Sequence, residues 1–237
     1  MTRINKYIAD CGIASRRAAD KLIEERRVKV NGKTIDTPGL DINEENDTVT
    51  VDGVKIKPST RFVYIMLNKP KGCLCTMKDD KGRKTIMDYI DIKNRRLFPV
   101  GRLDYDSEGL ILLTNDGALT YRLTHPSHEI PKTYIAKISG EVQESDLATL
   151  RNGIVLDGIK THTCKIKLLE VEEGDIYRFE VTIFEGRNRQ IRRMFESIEK
   201  EVVFLKRIAI GDLKLGGLGR GAYRYLTEKE VVRLKKI

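Results

Sequence analysis

Pro99-Val100-Gly101-Arg102-Leu103-Asp104-Tyr105-Asp106-Ser107-Glu108-Gly109-Leu110 carries the chain out of one strand, through an acidic loop and into another. Three acids fall within five positions of that loop. Aspartate is common in loops for a local reason, because its carboxylate accepts nearby backbone N–H groups. Taken alone, Asp104 therefore reads as a turn residue. The apolar runs around it have strand character: Phe62 to Leu67, Leu97 to Val100, Leu110 to Leu113, Thr133 to Ile138, Lys165 to Val171, Tyr177 to Phe184 and Phe204 to Ile210. Helices are interspersed at about Ala118 to Leu123, Ser145 to Asn152 and Arg189 to Ile198, and Thr227 with Glu230 forms a capping box for a last one. The order does not alternate strand and helix regularly. It predicts a mixed, largely antiparallel α+β sheet domain over residues 60–237.

The first 59 residues read as a separate small α+β module. Ile4, Tyr7 and Ile8 share a helical face that stops at Gly12, and Ser15 caps a second helix with Ala18, Ala19, Leu22 and Ile23 inward. Arg16, Arg17, Lys21, Arg26 and Arg27 occupy its other side. Val28-Lys29-Val30 then leads into an Asn31-Gly32 hairpin, and Thr48 to Ile56 forms a second one. Lys57-Pro58-Ser59-Thr60 suits a linker. Arg16 and Arg17 oppose the macrodipole at the helix start, a conflict that a bound phosphate removes. The string Ser15-Arg16-Arg17-Ala18-Ala19-Asp20-Lys21-Leu22-Ile23, followed by Val28-Lys29-Val30-Asn31-Gly32, resembles the RNA-binding module first described in a small-subunit ribosomal protein (the S-four type). That resemblance assigns RNA contact to Arg16, Arg17, Arg27 and Lys29.

Composition narrows the partners. The 237 residues carry a formal net charge of +9, which favours a polyanion, nucleic acid before a membrane surface. No apolar run has the length of a membrane span and the N-terminus lacks a signal-peptide pattern, so a cytoplasmic protein is expected. Of the four cysteines only Cys73 and Cys75 lie close, and no second pair completes a zinc set; no metal or cofactor is expected. His125 and His128 read as loop histidines around Pro126.

Two further stretches bear on Asp104. Phe184-Glu185-Gly186-Arg187-Asn188-Arg189-Gln190-Ile191-Arg192-Arg193 runs from strand into helix with four arginines. Such a helix start attracts phosphate, and an arginine facing a carboxylate also holds it ionised and oriented. Glu129-Ile130-Pro131-Lys132-Thr133-Tyr134 places a tyrosine at the start of a strand, where its ring is packing or a platform for an extruded base.

Together, Gly101-Arg102-Leu103-Asp104, Thr114-Asn115-Asp116-Gly117, Gln190-Ile191-Arg192-Arg193 and Leu205-Lys206-Arg207-Ile208-Ala209-Ile210-Gly211 resemble the motifs of pseudouridine synthases of the RsuA/RluB type. The likeness spans the chain. It implies an isomerase of ribosomal RNA that needs no cofactor, acting as a monomer on a structured RNA with a flipped-out uridine. By resemblance Asp104 is the catalytic carboxylate, acting as nucleophile at sugar or base or as a base at the ribose. Arg192 holds it and Tyr134 stacks on the base. Arg102, Arg187, Arg189 and Arg193 are expected on the RNA. Phe62 to Gly72 with Gly82-Arg83-Lys84-Thr85 looks closer to members acting on large-subunit (23S) rRNA. A small-subunit (16S) enzyme, a non-catalytic rRNA-binding assembly factor and an RNA N-glycosidase are the alternatives; the last requires a second carboxyl and a placed water.

Overall fold

The computed structural model describes residues 1–59, 61–92 and 96–237. Thr60, at the end of the expected linker, lies outside the described residues. The chain divides into two compact units, one built mainly from residues 1–63 and the other from 64–92, 98–114 and 118–237.

In the first unit, β1 (Thr2–Arg3) leads into α1 (Ile4–Asp10) and α2 (Arg16–Glu24). Then come β2 (Val28–Val30), β3 (Lys33–Ile35), β4 (Asp41–Ile42), β5 (Val49–Val51) and β6 (Val54–Lys55). The Ser15 hydroxyl accepts the Ala18 N–H at 3.0 Å and so fills one orphan donor of α2. Ser15→Ala is expected to cost the full chain about 1 kcal/mol, read by thermal denaturation. Strand order is β3-β2-β5-β6, all antiparallel. Asn31 and Gly32, and again Asp52 and Gly53, take the positive φ that two-residue hairpins require. Ile4, Tyr7, Ile8, Ala19, Ile23, Val28, Ile42, Val49, Val51 and Ile56 form the core. Ala18, expected inward, is exposed. The buried stripe of α2 consists of Ala19 and Ile23, with Leu22 partly buried, and it leaves Ala18 beside Arg17 on the open side.

The second unit contains β7 (Tyr64–Lys69), β8 (Phe98–Val100), β9 (Glu108–Thr114), α3 (Gly117–Thr124), β10 (Lys132–Ser139), α4 (Glu144–Arg151), β11 (Val155–Leu156) and β12 (Ile159–Lys160). It continues through β13 (Lys165–Glu172), β14 (Ile176–Ile183), α5 (Gln190–Glu196), β15 (Glu201–Ile210), β16 (Leu213–Lys214), β17 (Tyr223–Tyr225) and α6 (Glu228–Lys236). Its sheet runs β13-β14-β10-β15-β9-β7-β17, with β8 on β9 and β16 on β15. Every described pairing in it is antiparallel except β15 with β9. The mixed, largely antiparallel α+β sheet expected from the chain is the one observed. The β11–β12 hairpin, which the sequence reading did not contain, is an addition. The expected capping box is present: the Thr227 hydroxyl accepts the Glu230 N–H, and the Glu230 carboxylate accepts the Thr227 N–H. None of the described helices is long and apolar enough to cross a membrane.

The parallel contact between β9 and β15 is short, pairing Glu108 with Lys206 and Gly109 with Arg207. Gly109 has φ +105°, and a Cβ there would lie 2.2 Å from the Arg207 carbonyl oxygen. Only glycine lets the two backbones approach so closely. Gly109→Ala combines a disfavoured φ with backbone overlap, and is expected to cost about 3 kcal/mol in denaturant unfolding.

Candidate active site

The Asp104 loop is held from below. Lys69 ends β7 with its side chain fully buried, and its Nζ donates to the carbonyls of Pro70 (3.1 Å), Asp104 (3.0 Å) and Ser107 (2.9 Å). All three ammonium donors are thus used, which makes burial of a lysine tolerable. Burial still pushes the Lys69 pKa down, against the opposing pull of Cys73, Cys75, Asp104 and Asp106. The Ser107 N–H donates to the Asp104 carbonyl (3.1 Å) and the Gly72 N–H to that of Tyr105 (2.9 Å). With its backbone fastened this way, the Asp104 carboxylate makes no hydrogen bond or ion pair to another described residue and faces a cleft of about 250 Å³. Arg102, Leu103, Ser107, Tyr134, Ile183, Arg189 and Leu205 are among the other residues of that cleft, and Asp104 is its only acid among the described residues.

Tyr134 lies on β10, buried, opposite Val181 of β14 and Arg207 of β15. Leu205 and Ile183 share its wall. A tyrosine ring with two branched apolar neighbours is a surface on which a planar base can lie.

The arginines of the 187–193 stretch divide by use. Arg192 was expected to hold Asp104. Its Nη2 instead meets the Asp106 carboxylate (3.2 Å) and carbonyl (3.3 Å), while Nη1 donates to the Val202 carbonyl (2.7 Å). Arg189 meets the same Asp106 carboxylate at 3.3 Å. The physical reason is reach: the Asp104 main chain is drawn down onto Lys69, and Asp106, two residues on, is the acid presented to α5. Arg192 still contributes to Asp104 as a nearby charge. Burial lowers its own pKa, and Asp106 and Asp104 both oppose that.

Arg187 and Arg193, expected on RNA, have internal partners. Arg187 pairs with Glu185 (2.9 Å) and donates to the carbonyls of Ile159 and Lys160 (2.9 and 2.7 Å). Arg193 grips Asp157 with both terminal nitrogens (2.8 and 2.6 Å). Together they tie the β11–β12 hairpin to the start of α5. In the first unit Arg27 is similarly bound to Asp52 (2.8 and 2.7 Å). Arg16, Arg17, Lys29 and Arg102 are exposed and have no ion pair with a described residue.

Lys69 is the residue under the Asp104 loop that the sequence reading missed, and its only signal is a lysine closing a mostly apolar strand just before a proline. Glu185 and Gln190 were missed too. Gln190 donates to Glu185 (2.8 Å) and accepts the Arg187 N–H (3.1 Å), which fixes the turn before α5. Glu108, the third acid of the 104–108 stretch, is buried against Arg220 at 3.2 Å. No group of three or more His, Cys, Asp or Glu side chains is arranged to hold a metal ion among the described residues.

The chain resembles known proteins along its whole length. Residues 63–197 match the family model described as RNA pseudouridylate synthase, and residues 2–49 match the S4 domain. The chain is 45% identical to the Ribosomal large subunit pseudouridine synthase B of Bacillus subtilis (strain 168), covering 100% of this chain and 97% of that one. It is 43% identical to an uncharacterized RNA pseudouridine synthase of Aquifex aeolicus (strain VF5), covering 99% and 94%. A crystal structure of a pseudouridylate synthase superposes with a TM-score of 0.71 at 35% identity, covering 99% of this chain and 100% of that one. A chain with this sheet, this cleft and relatives of this kind along its whole length belongs to the RNA pseudouridine synthase family of isomerases, with an S4 domain preceding the catalytic unit.

Proposed function

We propose that this enzyme converts one uridine of ribosomal RNA, in the large subunit, to pseudouridine, with Asp104 as the catalytic carboxylate. The single observation that supports the assignment is that, among the described residues, Asp104 is the one acid of the cleft and has no ion-pair partner, in a cleft that Tyr134 also lines. The reaction breaks the bond from N1 to the ribose C1′ and joins C1′ to C5 instead. The C5 proton leaves and N1 gains one, so the base isomerises with no net change in composition. Both routes open to Asp104, attack on sugar or base and proton removal from the ribose, need it ionised and uncommitted. Tyr134, Ile183 and Leu205 receive the extruded base.

Hydrolysis by an N-glycosidase needs a second carboxyl acting as acid. Asp106 is committed to Arg189 and Arg192 and Glu108 to Arg220, so neither is free for that work. The large-subunit target rests on the name of the Bacillus subtilis relative. Arg16, Arg17 and Lys29 are proposed to contact structured rRNA, and Arg102 and Arg189 the strand near the target uridine. The enzyme is taken to work as a cytoplasmic monomer. Deleting the gene and mapping pseudouridine in both rRNAs tests the reading: a site lost from large-subunit rRNA supports it, and loss from small-subunit rRNA alone replaces the target.

A further inference from the structure

A second cavity of about 410 Å³ adjoins the Asp104 cleft, sharing Gly101, Arg102, Gly186 and Arg187 with it. Lys132, Arg207, His125 and His162 also line it, beside apolar Ile210 and Phe184. Lys132 and Arg207 come from neighbouring strands of the sheet. The register slips between Thr133 and Tyr134, so that β15 carries an extra residue, Ile208, next to Arg207. Such a bulge re-aims the adjacent side chain.

The Arg207 guanidinium is buried at 3% exposure. Nε donates to the Leu110 carbonyl at 2.7 Å, but buried Nη2 has no hydrogen-bond partner. The Lys132 ammonium is partly buried and donates only to the Ile130 carbonyl at 3.0 Å. Neither cation has a carboxylate partner among the described residues. The acids nearby are engaged elsewhere: Glu185 accepts from Arg187, Gln190 and the His162 N–H, and Glu129 faces the His162 ring at 3.2 Å. Burial, with Arg207 adding repulsion, pulls the Lys132 pKa down to about 8. Two like charges, one buried with an orphan donor and the other partly buried, form an arrangement that an anion completes.

We propose that this cavity seats a backbone phosphate of the RNA strand, next to the uridine that enters the Asp104 cleft, with Lys132 and Arg207 as its cationic partners. The inference rests on the reading of that cleft as the uridine site. A phosphate held one step from the target fixes the strand while the base turns, and contributes affinity without reading sequence. An anion also raises the Lys132 pKa again, so its share of binding falls as pH rises through about 8.

The test uses the full chain and an in-vitro transcript of the organism's large-subunit rRNA. Lys132→Met is expected to weaken binding about tenfold and to flatten the plot of log affinity against log salt by about 0.7, the share of one phosphate contact on a single strand. Lys132→Arg, which keeps the charge, is expected to retain the wild-type slope. An unchanged slope in Lys132→Met overturns the proposal, as does an equal flattening in both variants. Acetylation of Lys132 by acetic anhydride, followed by mass spectrometry, identifies the source of the anion. Protection by the transcript at concentrations where inorganic phosphate gives none supports an RNA phosphate. Protection by inorganic phosphate alone overturns it in favour of a free-anion site. Asp104→Asn serves as the control that separates the two readings, because it should abolish turnover with the salt slope intact.

Discussion

Asp104→Asn is expected to abolish pseudouridine formation, by more than about 10⁴-fold, while changing RNA affinity by less than about twofold. Asparagine keeps the size of the side chain and removes the only uncommitted acid of the cleft among the described residues. The loop itself survives the change, since its anchors are the Lys69 and Ser107 bonds to the Asp104 carbonyl rather than to its carboxylate. Removing a carboxylate from a basic cleft does not weaken its attraction for a polyanion. Single-turnover assays on the rRNA transcript measure the chemistry, and filter binding measures the affinity. A gene-deletion strain complemented with the variant should still lack the modified site. Restoration of that site by Asp104→Asn would remove Asp104 from the mechanism.

Lys69→Met is expected to be the second most damaging change, although Lys69 has no direct contact with the cleft. Methionine fills the space but leaves the carbonyls of Pro70, Asp104 and Ser107 without their buried donor. Unsatisfied groups of this kind cost about 1–3 kcal/mol each, offset in part because a buried ammonium no longer has to be desolvated. A net loss of about 3 kcal/mol is expected in denaturant titrations. Displacement of the 104–107 turn by even a fraction of an ångström should lower kcat about a hundredfold with little change in KM. The pH dependence has a defined sign. Burial depresses the folded pKa of Lys69 below its ordinary value of 10.5, so above the folded pKa the unfolded chain holds the extra proton. Wild-type stability therefore rises relative to Lys69→Met as pH increases through that interval, and the difference between the two should be larger near pH 10 than at neutral pH.

Much of the architecture was legible along the chain because it depends on local physics. Asn31-Gly32 and Asp52-Gly53 make hairpins because those residues accept positive φ, and Ser15 and Thr227 begin helices because their hydroxyls reach free N–H groups. The β11–β12 hairpin could not be read in that way: its strands are two residues each, too short for any alternation, and Arg193 of α5 with Arg187 of the preceding turn holds it in place.

The sequence by itself determined the positions of most regular elements and placed an acidic loop between two strands, because turn chemistry, capping and hydrophobic period act over a few neighbouring residues. Only the tertiary structure decided which arginine meets which acid. Asp104 and Asp106 are equivalent candidates in a string of letters, and the difference between them comes from Lys69, 35 residues away, drawing one carbonyl down and leaving the other carboxylate to Arg189 and Arg192. The pairing of Lys132 with Arg207 likewise depends on a register slip between strands more than seventy residues apart in the chain. Ion pairing depends on distance in space, and sequence spacing reports that distance only within a helix turn, a strand or a hairpin.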